Sequence, residues 1–502
     1  MADQTVIVDS PKEGNLLNAL NLLIGPILFF VALSLPVFGP PQARIGFGIL
    51  FWMVYWWVTT PVDIKITCLV PLIVVAFYPY MPIQKVMEAY VHKHAFLIIG
   101  ASMVTAAWAR WGFAKRLSLM FLSRAGNSVQ VQTVSWFIFC ALLSFVMGNT
   151  PVGAVLAPIA TAALAYSGFK TFEDRYSSAA ASNVLIAIAW GASIGGMATP
   201  LGGGQAVVTL GLFEKYIGHE IFFTDWAARM VPISLLIVGT MAAYMYYFMK
   251  PEVETFEGNK DYYKSELKNM GPISFEEIVI CVGFLLIMLL AITRPLYVDM
   301  IKGPYFKWLH FSPLFFIFAC LLFVIPSRNS KGETILSGKT MAEHFPIAII
   351  FIWPAAVALG RILNKTGASD VFAGWLQPYL TSGDATAIAA VGFGATTLSQ
   401  MTSDTAAAGV MIPLVIEAFK NWHGLEYGSV AFIWIAGAAL SWSYAVASAT
   451  GAQGIVAGYG ANLGRMFFYG LGAAVLSLIV TVVYFIIAVG VLQLDFYILP
   501  PS

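Results

Sequence analysis

Long stretches of this chain carry no charge, yet polar residues stand at their centres. Forty-five residues separate Arg124 from Lys170 without a Lys, Arg, Asp or Glu, and 38 separate Arg175 from Glu214. Another 38 lie between Glu426 and Arg465, and between Asp384 and Glu417 the only charge is Asp404. A helix needs about 20 residues to cross the hydrocarbon of a bilayer. Each stretch is therefore too long for one span, and no loop-like polar cluster divides it into two. A helical hairpin that dips in and returns, with Gly148–Asn149–Thr150 at its tip, fits the first stretch better. Exposed backbone at that depth is tolerated only where it lines a cavity.

The polar centres repeat. Ser144, Asn149, Thr150 and Pro158 are matched 255 residues later by Ser399, Asp404, Thr405 and Pro413. A second pair of breaks has an offset of 251 (449 − 198): Ala198–Thr199–Pro200 with glycines to Gly204, and Ala449–Thr450–Gly451. Paired Gly/Pro interruptions in matching positions of two halves point to the central site of a secondary transporter. Amphipathic stretches, Leu117–Arg124 and Ala368–Leu376, precede the two hairpins and are suited to lying along the interface. With about five spans per half, the repeats run in opposite orientation.

The composition agrees. The chain is 59% hydrophobic and 11% charged with a mean hydropathy of +0.79, which predicts an all-α polytopic membrane protein. A net charge of +1 argues against a nucleic-acid partner. Cys68, Cys140, Cys281 and Cys320 lie in apolar runs without paired spacing and read as buried small hydrophobes. No HExxH, P-loop or thiol cluster occurs, so no cofactor beyond a coupling ion is expected. Gly191–Ala192–Ser193–Ile194–Gly195 fits the G-x-S-x-G pattern of hydrolases, but no strand precedes it and no His is near, so an intramembrane hydrolase using Ser193 is a distant alternative.

The expected organisation is as follows. Residues 1–15 form a cytoplasmic N-terminus, with no basic region of the signal-peptide kind before the first apolar run. Residues 16–250 hold the first span and first inverted repeat, with a hairpin at 131–169 and a broken helix at 177–213. Residues 251–272 are a cytoplasmic linker, and 273–502 form the second repeat, with a hairpin at 383–420 and a broken helix at 427–463. A cytoplasmic N-terminus places the larger share of Lys and Arg inside, in a multi-pass protein of the plasma membrane.

At this point the chain resembles the divalent anion/sodium symporters, di- and tricarboxylate transporters of the INDY type. Trp56–Trp57–Val58–Thr59–Thr60–Pro61, before a span with Leu69–Val70–Pro71–Leu72, is similar to that family's third-helix signature. The two tips stand where the family carries paired Ser–Asn–Thr motifs, and Thr199–Pro200 and Thr450–Gly451 stand at its two unwound helices. The resemblance implies 11 transmembrane helices plus two re-entrant hairpins, scaffold and transport domains, a homodimer and elevator-type alternating access.

It also implies a site. A dicarboxylate at the bilayer midplane needs donors and positive potential, and broken helices supply both through unpaired N–H groups and the positive ends of half-helix dipoles. The candidate substrate contacts are Asn149, Thr150, Thr199, Pro200, Ser403, Asp404, Thr405, Thr450 and Gly451. The candidate cation ligands are Ser144, Gly148, Asn149, Ala198, Ser399, Ser403, Asp404 and Ala449, with sodium as the ion. Two departures stand out: Gly148 where the family usually has Ser, and Asp404 where it has Asn. Because the sodium-side pattern is altered at both tips, the expectation is exchange of succinate, malate, fumarate or 2-oxoglutarate with weak or no sodium dependence. The alternative is a sodium-coupled symporter.

Overall fold

The computed structural model describes residues 16–90, 93–298, 310–330, 332–344, 347–380, 384–419 and 428–492. The N-terminal residues 1–15, and the expected boundaries at 383, 420 and 427, lie outside them. Among the described residues the chain is all-helical, with no strand beyond two isolated bridges, Ser128 to Thr255 and Pro326 to Thr334.

Helices of eight residues or more are numbered in chain order. The first half holds α1 (Leu16–Ser34), α2 (Pro41–Thr59), α3 (Val70–Phe77), α4 (Lys93–Trp111) and α5 (Phe113–Leu122). It continues with α6 (Val129–Ser144), α7 (Asn149–Tyr166), α8 (Ala179–Gly195), α9 (Gly204–Ile217) and α10 (Phe223–Phe248). The linker carries α11 (Asn259–Asn269). The second half holds α12 (Phe275–Tyr297), α13 (Phe311–Leu322), α14 (Ile347–Thr366), α15 (Ala368–Leu380) and α16 (Asp384–Met401), then α17 (Asp404–Phe419), α18 (Gly428–Ala439), α19 (Gly451–Gly458) and α20 (Leu463–Phe485).

Three of these segments are long and apolar enough to cross a membrane by length and composition: Phe223–Phe248, Phe275–Tyr297 and Leu463–Ala488. The helices around the polar centres are shorter. The 16 residues of α6 and 14 of α9 reach about 24 and 21 Å at 1.5 Å per residue, short of the ~30 Å of hydrocarbon. Their chain reverses or unwinds at Phe145–Gly148, Gly196–Gly203, Thr402–Ser403 and Leu440–Thr450.

Apolar packing separates into two clusters. The larger gathers α6–α9 with α16–α20 around Trp136, Trp190, Trp226, Trp434 and Trp442. The smaller joins α1, α2, α3 and α14 around Phe29, Phe47, Trp57 and Leu359, and takes in Ala406, Val410 and Leu414 of α17. Helix α17 therefore sits on the seam between the clusters.

The G-x-S-x-G segment has a packing explanation. A Cβ at Gly191 or Gly195 would collide with the carbonyls of Phe137 and Ala141, so the two glycines, four apart, let α8 lie directly on the backbone of α6. Ser193 is fully buried and donates to the Ala189 carbonyl at 3.0 Å. The expectation for the cysteines needs correction: Cys68 and Cys140 are buried, but Cys281 is half-buried and Cys320 exposed. An apolar thiol on an outward helix face is compatible with lipid, so hydrophobicity alone did not imply burial.

The linker is anchored rather than loose. Arg116 of α5 holds Glu277 with Nε at 2.7 Å from Oε1 and donates to the Gly271 carbonyl at 2.8 Å. Lys115 reaches Glu266 of α11 at 2.8 Å, and that bond holds the Glu266 carboxyl below its usual range.

Candidate functional site

Four helices begin at one place: α7 at Asn149, α9 at Gly204, α17 at Asp404 and α19 at Gly451. Each hairpin tip is tied to the unwound segment of its own half. The Asn149 N–H donates to the Gly202 carbonyl at 3.0 Å, and the Asp404 N–H to the Ala449 carbonyl at 3.3 Å. Ser144 donates to the Ala192 carbonyl at 2.7 Å, and Ser399 lies 2.5 Å from the Leu440 carbonyl.

The halves also cross. Thr150 packs on Gly451 and Thr405 on Gly204, so close that a Cβ at either glycine would strike the threonine side chain. Gln205 donates to Ser441 at 3.0 Å, and Ser193 approaches Thr450 at 3.4 Å. Glycine begins α9 and α19 because the opposite tip occupies the space of a side chain.

The four N-termini are not equivalent. The residues preceding α7 and α9, Gly148 and Gly203, have no side chain to cap the first turn. Those preceding α17 and α19 do: Ser403 accepts from the Ala406 N–H at 3.2 Å, and Thr450 from the Gln453 N–H at 3.2 Å. A cavity of about 50 Å³ opens where α7 and α9 start, lined by Asn149, Thr150, Pro200 and Gly204 together with Ser102 and Thr105 of α4. It has room for a few waters but not for a four-carbon diacid. Asn149 is half-buried there, its Oδ1 accepting from the Thr150 N–H at 2.9 Å.

The second tip encloses a carboxylate. Asp404 is 2% exposed; its Oδ1 lies 2.6 Å from both Ser399 Oγ and Ser443 Oγ, while its Oδ2 is buried without a hydrogen-bond partner. Ser399 has one hydroxyl proton but two acceptors in reach, Asp404 and the Leu440 carbonyl. Oxygens thus outnumber protons in this cage, and among the described residues no basic side chain pairs with Asp404. A buried charge in a membrane protein calls for a partner. The orphan Oδ2 and the surrounding hydroxyl and carbonyl oxygens fit a small hard cation such as sodium, with Asp404, Ser399, Ser443 and the Leu440 carbonyl as the donor set.

Other sequence-derived candidates serve the frame. Thr199 is buried and donates to the Phe145 carbonyl. Pro200 and Ala198 are buried within the first unwound segment, and Ala449 offers its carbonyl to Asp404. Sequence reasoning missed Ser443, Gln400, Gln205 and Gln453. Gln400 donates to the Trp442 carbonyl at 2.6 Å and accepts from the Ala445 N–H at 2.9 Å, while Gln453 donates to the Ser443 carbonyl. The available signal was polar side chains within charge-free runs.

Residues 15–494 match the profile of the sodium:sulfate symporter transmembrane region. The chain belongs to that family. Members of the sodium:sulfate symporter family are transporters, not enzymes, so Ser193 has no hydrolytic role, and the resemblance to divalent anion/sodium symporters holds. One similar protein is the sodium-dependent dicarboxylate transporter SdcS of Staphylococcus saprophyticus, 24% identical over 489 residues, covering 95% of this chain and 92% of the relative. SdcS of Staphylococcus aureus is 23% identical over 406 residues, covering 79% of this chain and 77% of its own length. A solved structure of Neisseria gonorrhoeae MtrF, described with a class of antimetabolite efflux pumps, shares the fold at a TM-score of 0.54 and 13% identity, over 81% of this chain and 84% of that one.

Proposed function

We propose that this chain is a cation-coupled secondary transporter of small dicarboxylates, with sodium as the coupling ion. One observation carries the reading: the uncapped start of α9 meets the Asn149 and Thr150 side chains at a single cavity, beside a separate caged carboxylate at Asp404. The α9 amides and the Asn149 and Thr150 side chains bind one substrate carboxylate. Thr405, seated against Gly204, closes the same site from the other half. Ser403 and Thr450 cap their own helices and position the site instead of contacting substrate.

Sodium bound by Asp404, Ser399, Ser443 and the Leu440 carbonyl neutralises the buried charge and fixes the second tip. Ion binding thereby readies Thr405 for the dianion. The expectation of exchange with weak sodium dependence finds no support: the similar SdcS proteins are named sodium-dependent. Part of its premise, the change at Asp404, also points the other way. A carboxylate in place of an amide strengthens a hard-cation site, because it adds charge to the same oxygen geometry.

The cavity of about 50 Å³ must widen to admit substrate. We assign that opening to movement of both hairpins and broken helices, as one transport unit of two inverted repeats, against a scaffold that includes α1, α2 and α14. Homodimerisation in the plasma membrane with a cytoplasmic N-terminus completes this reading.

Proteoliposomes provide the test. Uptake of labelled succinate should rise several-fold with an inward sodium gradient and fall to background in choline. Uptake that ignores sodium and follows an imposed pH gradient would assign a proton to Asp404 instead. Absence of transport for every four- or five-carbon diacid would remove the substrate assignment.

A further inference from the structure

Away from the helix N-termini, a crevice of about 710 Å³ opens between α9, α14, α17 and the short helix Ile83–Met87. Four cations line it: Lys85, Lys215, Arg361 and Lys365. Lys215 and Arg361 also border an adjoining cavity of about 440 Å³, which Glu214 and Glu220 line as well. Lys215 lies 11 residues beyond Gly204 (215 − 204), and Ile416 on the crevice wall lies 11 beyond Thr405 (416 − 405). At 1.5 Å per residue, both helices lead about 16 Å from the site to the crevice.

The charge here is not internally balanced. Lys85 pairs with Glu88 at 3.0 Å, but among the described residues Lys215, Arg361 and Lys365 make no ion pair. The nearby carboxylates have other partners. Glu417 accepts from Asn364 at 2.8 Å, Glu220 is held by Arg294 at 2.7 Å, and His310 stands 3.2 Å from Glu220 and 3.7 Å from Glu214. Arg361 buries its Nε without a partner, and among the described residues its hydrogen bond is a long one of 3.5 Å from Nη1 to the Lys85 carbonyl.

Cations in the last turn of a helix complement its dipole, which accounts for Lys215 and Lys365 taken singly. It does not account for separate helices bringing them to one cavity with Arg361. A concave wall of one sign concentrates counter-ions.

We propose that this crevice is a second anion site, separate from the four helix N-termini, that takes a small multivalent oxyanion: a di- or tricarboxylate, sulfate or phosphate. Lys215, Arg361 and Lys365 supply the charge, and the apolar walls from Leu212, Pro413 and Ile416 keep the site narrow. The site gathers anions at the end of the molecule where α9, α14 and α17 finish. It does not depend on which anion is transported.

The test uses the full chain in nanodiscs, with Cys281→Ser and Cys320→Ser removing the accessible thiols and Met81→Cys placing one on the crevice wall. In neutral lipid at low salt, the anionic sulfonatoethyl methanethiosulfonate should label Cys at 81 about tenfold faster than its trimethylammonium counterpart, each rate taken relative to that reagent's rate with a small free thiol. Succinate, sulfate or phosphate at millimolar concentration should slow that labelling at least threefold. Protection should persist when Asn149→Ala and Thr405→Ala disable the central site, which separates failure of this proposal from failure of the transport reading. Lys215→Gln/Arg361→Gln/Lys365→Gln should abolish both the preference and the protection; Lys365→Gln alone should halve the preference, should the triple variant not fold. Slowing by anionic lipid with no effect of free anions would support the same chemistry with a headgroup as its source. Equal relative rates for both reagents, or protection unchanged in the triple variant, would overturn the site.

Discussion

The two hairpin tips share a frame and differ in charge. Both begin a helix at the residue whose N–H reaches an unwound carbonyl, Asn149 to Gly202 and Asp404 to Ala449, and both follow a serine that binds the partner backbone. At the first tip, Asn149 is neutral, its N–H and that of Thr150 are taken by the Gly202 carbonyl and by Asn149 Oδ1, and the adjoining start of α9 has no side-chain cap. At the second tip, Ser403 caps the helix and Asp404 brings a negative charge ringed by Ser399 and Ser443. In the function proposed above, the two tips divide the work: the first takes the anion, the second the cation.

The largest expected effect comes from exchanging the charges. Asn149→Asp puts a fixed anion beside the substrate carboxylate and should abolish succinate uptake, because like charges at such range cannot both be retained. Uptake within tenfold of the parent would break the division.

Asp404→Asn keeps the shape of the cage and removes its charge. It should raise the sodium concentration for half-maximal uptake by tenfold or more, the loss of one charge-assisted interaction being about 1.5–3 kcal/mol. An unchanged sodium dependence, measured over a titration in potassium-balanced buffer, would return Asp404 to a structural role.

Asn149→Ala and Thr405→Ala should each weaken substrate binding about tenfold or more, since a hydrogen bond to a charged group is worth about 1.5–3 kcal/mol. Equilibrium binding to purified protein decides it, and the sodium affinity of Asn149→Ala should stay at the parent value. The smallest effect is on Thr199→Val, which leaves the Phe145 carbonyl without its donor and should lower stability by about 1–3 kcal/mol, read as a fall in melting temperature.

The two unwound segments show what the sequence could and could not disclose. The first runs through Gly196 and Gly202–Gly203 with Pro200, residues that interrupt a helix by their own chemistry, and α8 stops at Gly195. The second leaves the helix at Ala439, ten residues before the Ala449–Gly451 break marked in the sequence, and Leu440–Thr450 contains neither Gly nor Pro. What holds it open comes from elsewhere: Gln400 on the Trp442 carbonyl, Trp190 on the Tyr444 carbonyl at 2.9 Å, and Gln453 on the Ser443 carbonyl. Backbone groups freed at that depth must find partners, and here those partners are spread over three helices. The role of Ser443 follows from that segment, so it was invisible in the local pattern. Asp404 was conspicuous as a lone charge, yet its enclosure by Ser443 and Leu440 is not predicted by the offset of 255 residues.

Sodium binding in the absence of substrate probes the division of labour directly. Anything that binds only the folded state raises its apparent stability. Melting temperature in detergent, with sodium titrated against choline at constant ionic strength, should therefore rise in the parent and in Asn149→Ala alike. In Asp404→Ala the same titration should leave the melting temperature flat. A rise in Asp404→Ala equal to that of the parent would contradict the assignment of the cation to the second tip, and with it the claim that the two tips have separate charges to bind.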